Sequence, residues 1–201
     1  MKNYVCIAVL AALCFCACSK EMEQPQIRID KKEPSKSLSF TQYTISKGAQ
    51  YCDKNSFVPV KLSRLSFKVK FDSSAIYATS KSANQKDINK LFGFSDNNAM
   101  HHEYSARFGW RWSDNALRIF AYNYNSGVRS FKELGTVKIG TENSCSITVS
   151  GNKYIFNLNG AETVMPRAST TAVAEGYQLY PYFGGDESAP HAISIWIEEL
   201  P

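Results

Sequence analysis

Leu65-Ser66-Phe67-Lys68-Val69-Lys70-Phe71 decides the fold. Apolar and polar residues alternate without a break, and a period of two puts every apolar side chain on one face of a β-strand. The pattern predicts a strand with one buried and one wetted face. Ile193-Ser194-Ile195-Trp196-Ile197 repeats it near the end of the chain. Residues 146–149 and 154–158 are two more short runs, separated by Ser150-Gly151-Asn152-Lys153, which marks a hairpin. Asn159-Gly160 closes the second run with a further turn signal. Residues 90–96 and 177–183 read as strands, the latter leading into Gly184-Gly185, while residues 87–91 suit either a short helix or a strand start. No segment carries a capped 3.6-residue stripe. The reading is all-β, an antiparallel sandwich of two sheets.

Composition limits the alternatives. The chain has 201 residues and is 44% hydrophobic, 13% aromatic and 20% charged, which excludes a wholly disordered polypeptide. The one long apolar run, residues 5–17, is too short for a bilayer-spanning helix of about 20 residues. The net charge of +5 is spread among interleaved acids and bases, so nucleic acid is not an expected partner.

The N-terminus carries an address. Lys2 precedes the apolar run, in the order of a secretion signal. Phe15-Cys16-Ala17-Cys18 resembles the lipobox of bacterial lipoproteins, with a small residue just before the cysteine. The resemblance implies cleavage before Cys18 and acylation of Cys18, so that the membrane is engaged through a lipid anchor. Cys14 and Cys16 fit less well, because Leu13 and Phe15 precede them. An ordinary signal peptide or a buried helix is the plain alternative. The expected organisation is a signal at residues 1–17, Cys18 with a solvated tether through residue 37, and a β-sandwich over residues 38–201. Glu21 and Glu23 resemble the export signals of Bacteroidetes-type surface lipoproteins, which implies an outer-membrane address facing the cell surface. Of six cysteines, Cys52 and Cys145 then remain in the domain, either as one disulfide or as two buried thiols.

Residues 103–112 hold the candidate site. Read as a strand, they put Tyr104, Ala106, Phe108, Trp110 and Trp112 on one face and Glu103, Ser105, Arg107, Gly109 and Arg111 on the other. Ser113-Asp114-Asn115 turns the chain. The next run sends Leu117, Ile119 and Ala121 inward and Arg118, Phe120, Tyr122 and Tyr124 outward. A hairpin would therefore gather Glu103, Arg107, Arg111, Arg118, Phe120, Tyr122 and Tyr124 on one face. Aromatic rings stack on the apolar faces of sugars, and planar guanidinium groups hold hydroxyls or carboxylates in fixed geometry, so this face suits an anionic glycan. A solvated sheet face of arginines and tyrosines is the plain alternative. A slip of one residue would exchange the two faces.

Residues 90–96, the strand pair at 101–124, the Gly151 hairpin and the closing segment 180–197 together resemble the concanavalin A-like lectin/glucanase jelly roll of surface lipoproteins. The resemblance implies a jelly-roll sandwich that hosts lectins, hydrolases and lyases alike. The clustered acids of its hydrolase members, Glu-x-Asp-x-x-Glu, do not occur here. The arginine-rich and Gln-x-His strand motifs of its alginate lyases are also missing. A lyase acting on uronates would have to draw on His102, Arg107, Tyr122 and Tyr124. His101-His102-Glu103 on an extended chain is poor chelating geometry, and no metal and no other cofactor is expected. Asp186 and Glu187 are expected to be solvated loop residues. The expected function is a non-catalytic glycan-binding module; a uronate lyase, or a structural lipoprotein with a protein partner at the cell surface, are the alternatives.

Overall fold

The computed structural model describes residues 39–201; the expected signal, Cys18 and the tether lie outside the described residues. Twelve strands run through them: β1 Thr41–Ile45, β2 Pro59–Leu62, β3 Arg64–Phe71, β4 Asn89–Ser95, β5 Ser105–Ser113, β6 Ala116–Asn125, β7 Val128–Val137, β8 Glu142–Ser150, β9 Lys153–Leu158, β10 Ala161–Pro166, β11 Ala174–Leu179 and β12 Ile193–Leu200. They form two antiparallel sheets of six strands, ordered β1-β12-β3-β8-β9-β10 and β2-β11-β4-β5-β6-β7. The all-β jelly-roll sandwich read from the sequence is the observed architecture.

Alternation builds the core. On β3, Leu65, Phe67, Val69 and Phe71 are buried, while Ser66, Lys68 and Lys70 are only partly covered. Aromatic rings from the facing sheets interlock: Phe67 meets Phe108 edge-on at 5.5 Å between centroids, and Phe108 meets Phe156 at 5.3 Å. Such tilted and edge contacts add to the area term, which is roughly 25 cal/mol per Å² of apolar surface removed from water. Trp110 is fully buried beside Phe71 and Tyr77.

Turns fix the registers. Asp114 and Asn115 both have positive φ, 52° and 54°, so β5 and β6 are joined by a two-residue loop of the kind that matches strand twist. That loop sets Arg111 opposite Arg118, Gly109 opposite Phe120 and Arg107 opposite Tyr122. The expected face segregation follows. Leu117, Ile119 and Ala121 join the main core, while Phe120 and Tyr122 pack on the far side of the sheet with Ile88.

Two readings differ from the structure, those of Glu103 and of residues 177–183, and two that stood open between alternatives are resolved by it. β5 begins at Ser105, so Glu103 lies in a turn and not on the strand. Residues 87–91 begin a strand at Asn89, preceded by a 3-10 turn at Ser82–Lys86. β11 ends at Leu179, because Pro181 has no N–H to continue a ladder; only Tyr182 bridges onward, to Lys90 and Tyr51. Cys52 and Cys145 are not bridged: both are buried free thiols. Burial pushes the Cys52 thiol up to about 11, consistent with a small hydrophobe and not a reactive sulfur.

A buried ion pair joins the sheets. Asp96, just past β4, accepts from Arg167 Nε at 2.7 Å and from the Tyr154 hydroxyl of β9 at 2.6 Å. Arg167 also donates to the Val173 and Gly151 carbonyls, both at 3.1 Å. Burial works against the Asp96 carboxylate, but Arg167, Tyr154 and the Asn97 N–H outweigh it and hold its pKa below the ordinary value. Removing one member leaves an uncompensated charge in the core. Asp96→Ala should cost about 3–5 kcal/mol in urea unfolding. Lys61→Ala, which breaks an exposed 3.0 Å pair with Glu175, should cost at most about 1 kcal/mol.

Candidate functional site

The outer face of the second sheet is basic and aromatic. Because β5 and β6 alternate in register, Arg107, Arg111, Phe120, Tyr122 and Tyr124 share it, and β7 adds Arg129 and Phe131 opposite Tyr124 and Tyr122. Cations lie over rings: Arg111 is 4.8 Å from the Phe120 centroid and Arg107 is 5.7 Å from that of Tyr122. Lys90, from β4, is 4.9 Å from the same Tyr122 ring. Tyr122 and Tyr124 meet each other at 5.9 Å.

Arg107 is the unusual member. A sheet-face arginine should be wet, yet Arg107 is only 7% exposed. Glycines make the room. A Cβ at Gly93, its cross-strand neighbour, would collide with the Arg107 side chain, and a Cβ at Gly109 would meet Ile88 at 2.5 Å. Its Nε is buried without a hydrogen-bond partner, and among the described residues no carboxylate lies within ion-pair distance of its guanidinium. Burial lowers its pKa, partly offset by the surrounding tyrosines Tyr122, Tyr124, Tyr177 and Tyr182. A buried donor left unpaired costs about 1–3 kcal/mol, more when charged, so the environment of Arg107 favours an anionic neighbour.

Arg107 also lines a cleft of about 410 Å³, together with Tyr51, Phe57, His101, Tyr177 and Tyr182 among others. Its rim is apolar and accessible: Phe57 is 73% exposed and Tyr51 66%. Phe57 lies 5.4 Å from Tyr177, and Tyr51 meets Tyr182 edge-on at 4.9 Å. On the cleft wall the Tyr177 hydroxyl accepts the His101 backbone N–H at 3.1 Å and stands 2.9 Å from His101 Nδ1. Burial, with help from Arg107 and His102, pushes the His101 pKa down to about 4, so the ring is neutral at pH 7 and Nδ1 can take the Tyr177 proton as a hydrogen bond.

The other candidates separate. Arg118 is occupied by Glu133 at 2.8 Å and Asp114 at 3.2 Å, and is turned away from the cleft by both. Arg111 donates to the Lys86 carbonyl at 2.8 Å. Glu103 and His102 are exposed on the turn before β5. Tyr122 is nearly inaccessible, and burial together with Tyr124 raises its pKa to about 12. The set His102, Arg107, Tyr122 and Tyr124 therefore does not meet around one opening; His101, Arg107 and Tyr177 do. Sequence reasoning missed Lys90, His101, Tyr177 and Arg129. Alternation placed only the hairpin, and these four arrive from other strands and loops. Glu187 is not simply solvated: its carboxylate accepts from Ser80 N at 2.8 Å, Lys81 N at 2.9 Å and Asn84 Nδ2 at 2.8 Å, which pins the loop after β11 to the 3-10 turn. Among the described residues no three His, Cys, Asp or Glu side chains converge as metal ligands.

This fold defines the class of concanavalin A-like jelly-roll sandwiches. No family model matches the chain, and no curated protein does. Solved structures match in fold. Alginate lyase AlyC3 superposes with a TM-score of 0.57 and 10% identity, over 82% of this chain and 75% of its own. A family 16 glycoside hydrolase from Bacteroides ovatus, in complex with a mixed-linkage glucan product, gives 0.51 and 9% over 83% of both chains. The catalytic domain of an endo-1,3-β-glucanase (laminarinase) from Thermotoga petrophila gives 0.51 and 11%, over 80% of this chain and 75% of its own.

The depressed His101 pKa has a consequence for stability. Between about pH 6.5 and 4 the unfolded chain binds a proton at this histidine that the native protein does not, so stability falls as pH falls through that window. The urea midpoint should decline on acidification across it, and His101→Phe should make the decline shallower.

Proposed function

We propose that this protein is a lipid-anchored outer-membrane glycan-binding module whose concave sheet face holds an acidic polysaccharide without cleaving it. Arg107 carries the reading: a nearly buried arginine with no carboxylate in ion-pair distance among the described residues lines an open aromatic cleft, which favours an anionic ligand there. Tyr51, Phe57 and Tyr182 supply stacking surfaces for sugar rings. The matched solved structures act on, or hold, polysaccharides, both neutral glucans and alginate. The cations on this face favour the acidic class. No paired acid constellation of the hydrolase type occurs in the sequence, which argues for binding over hydrolysis. Acylation at Cys18 and the tether through residue 37 would hold the domain at the cell surface within reach of extended glycans.

Calorimetric titration with alginate and polygalacturonate, against laminarin as the neutral control, tests this. Binding is expected for the acidic polymers. Arg107→Met should weaken it by about 10- to 100-fold, the worth of a charged hydrogen bond. Arg118→Ala, which disturbs a cation already paired with two acids, should change it less than about threefold. Equal binding of laminarin, or unchanged binding by Arg107→Met, would contradict the proposal.

A second reading, a uronate lyase, rests on the His101–Tyr177 contact beside Arg107. Arg107 would hold the uronate carboxylate and ionised Tyr177 would remove the C5 proton; that electron pair would form the C4–C5 double bond as the C4–O glycosidic bond breaks, and the Tyr177 hydroxyl would return the proton to the leaving oxygen. On this reading, ultraviolet absorbance of an unsaturated product rises with time and the rise is lost in Tyr177→Phe. Flat absorbance with polymers that bind would leave the non-catalytic module.

A further inference from the structure

Beside the Tyr122 ring lies a second, smaller opening of about 120 Å³, lined by Lys86, Asp87, Lys90, Tyr122, Arg129 and Phe131. A bulk water occupies roughly 30 Å³, so this space suits one carboxylate or sulfate group and its nearest waters, not a sugar ring. Three cations line it against one acid. Lys90 and Arg129 have no carboxylate within ion-pair distance among the described residues. Lys90 is tightly held. Its Nζ donates to the Ile88 carbonyl at 2.6 Å, and Gly184 packs so close that a Cβ there would stand 2.5 Å from Nζ. The amine is thus half-buried and held by the backbone, with Asp87 as the acid in the same opening.

Resting on the proposed function, we infer that this cleft is a seat for one acidic substituent of the bound glycan, with Lys90 and Arg129 as its cations, and that Lys90 takes up a proton as the group binds. The groups around Lys90 set the direction. Burial disfavours its charged form, Arg107 from β5 and Arg129 from β7 repel it, and Asp87 opposes them; the balance lowers its pKa to about 8. Tyr122, with a pKa raised to about 12, and Tyr182, also raised, stay neutral at the pH values in question and contribute no charge; Lys86 adds positive charge at the rim. A bound anion favours the ammonium form and raises the Lys90 pKa. By reciprocity, protonation of Lys90 then strengthens anion binding.

Two measurements on the purified protein test the inference, with oligogalacturonate as the probe. The Lys90 side-chain ¹⁵N resonance should titrate near pH 8 in the free protein and at higher pH with ligand. Calorimetric affinity should fall with rising pH above about 8, by up to about tenfold per pH unit, with net proton uptake in buffers of different ionisation enthalpy. Lys90→Met replaces a buried cation by an apolar chain and is expected to fold. Its affinity should be lower below pH 8 and flat across the range, while Arg129→Met should weaken binding and move the onset of the pH slope upward, because Arg129 no longer repels the Lys90 ammonium. Affinity independent of pH from about 7 to 9.5, or a Lys90 midpoint unmoved by saturating ligand, would overturn the inference and leave the proposed function standing. No binding of the probe at any pH would overturn both.

Discussion

A nearly buried arginine without a counter-ion among the described residues is the constraint around which the outer face of the second sheet is organised. Removing such a charge from solvent is costly unless hydrogen bonds replace the water. In this protein tyrosine rings do part of that work. Tyr122 offers its π face, while Tyr124, Tyr177 and Tyr182 surround the group with oriented dipoles. The replacement is incomplete, because Nε has no acceptor. Gly93 permits the close approach of β4 to β5 at Arg107, where a Cβ would collide with it. A fold selected for stability alone would place an apolar residue there.

The two sheets are held together in two ways. Across the core, Phe67, Phe108 and Phe156 lock the sheets by ring packing. At one end, Asp96, Tyr154 and Arg167 lock them by charge and hydrogen bonds. The pair spans 71 residues of sequence and draws the segment after β10 against the end of β4. From there β11 runs back along β4 and delivers Tyr177 to the cleft wall. Core, pin and cleft are thus one mechanical sequence, in which the ligand-facing tyrosine depends on a buried ion pair at its strand's entry.

What the sequence revealed was local, and what it withheld was distant. Strict alternation on β3 and β12, and the Gly151 and Asn159-Gly160 turns, were legible because a two-residue period and left-handed turn residues are short-range signals. The same logic placed Arg107, Arg111, Phe120, Tyr122 and Tyr124 on one face, since the Asp114-Asn115 turn leaves no freedom in the register. β7 was not legible. It is an edge strand exposed along most of its length, so its burial never writes an alternating pattern. Its register with β6 also shifts between Ile119 and Phe120. Lys90 read as one more strand lysine, and nothing near it in the chain announces that Arg107, Arg129 and Gly184 will enclose it. Asp96 read as the end of the strand over residues 90–96, and its partner Arg167 lies beyond β10, which only the finished fold brings near.

Thermal unfolding of the purified protein against a panel of neutral and acidic polysaccharides addresses the central claim most directly. A ligand present at about 100 times its dissociation constant and binding only the native state adds about 2.7 kcal/mol, a rise of several degrees for a domain of this size. The account predicts that rise with polyuronates and none with neutral glucans. An equal rise with neutral glucans, or no rise with any acidic polymer, would contradict the claim that the unpaired Arg107 marks a seat for an acidic glycan.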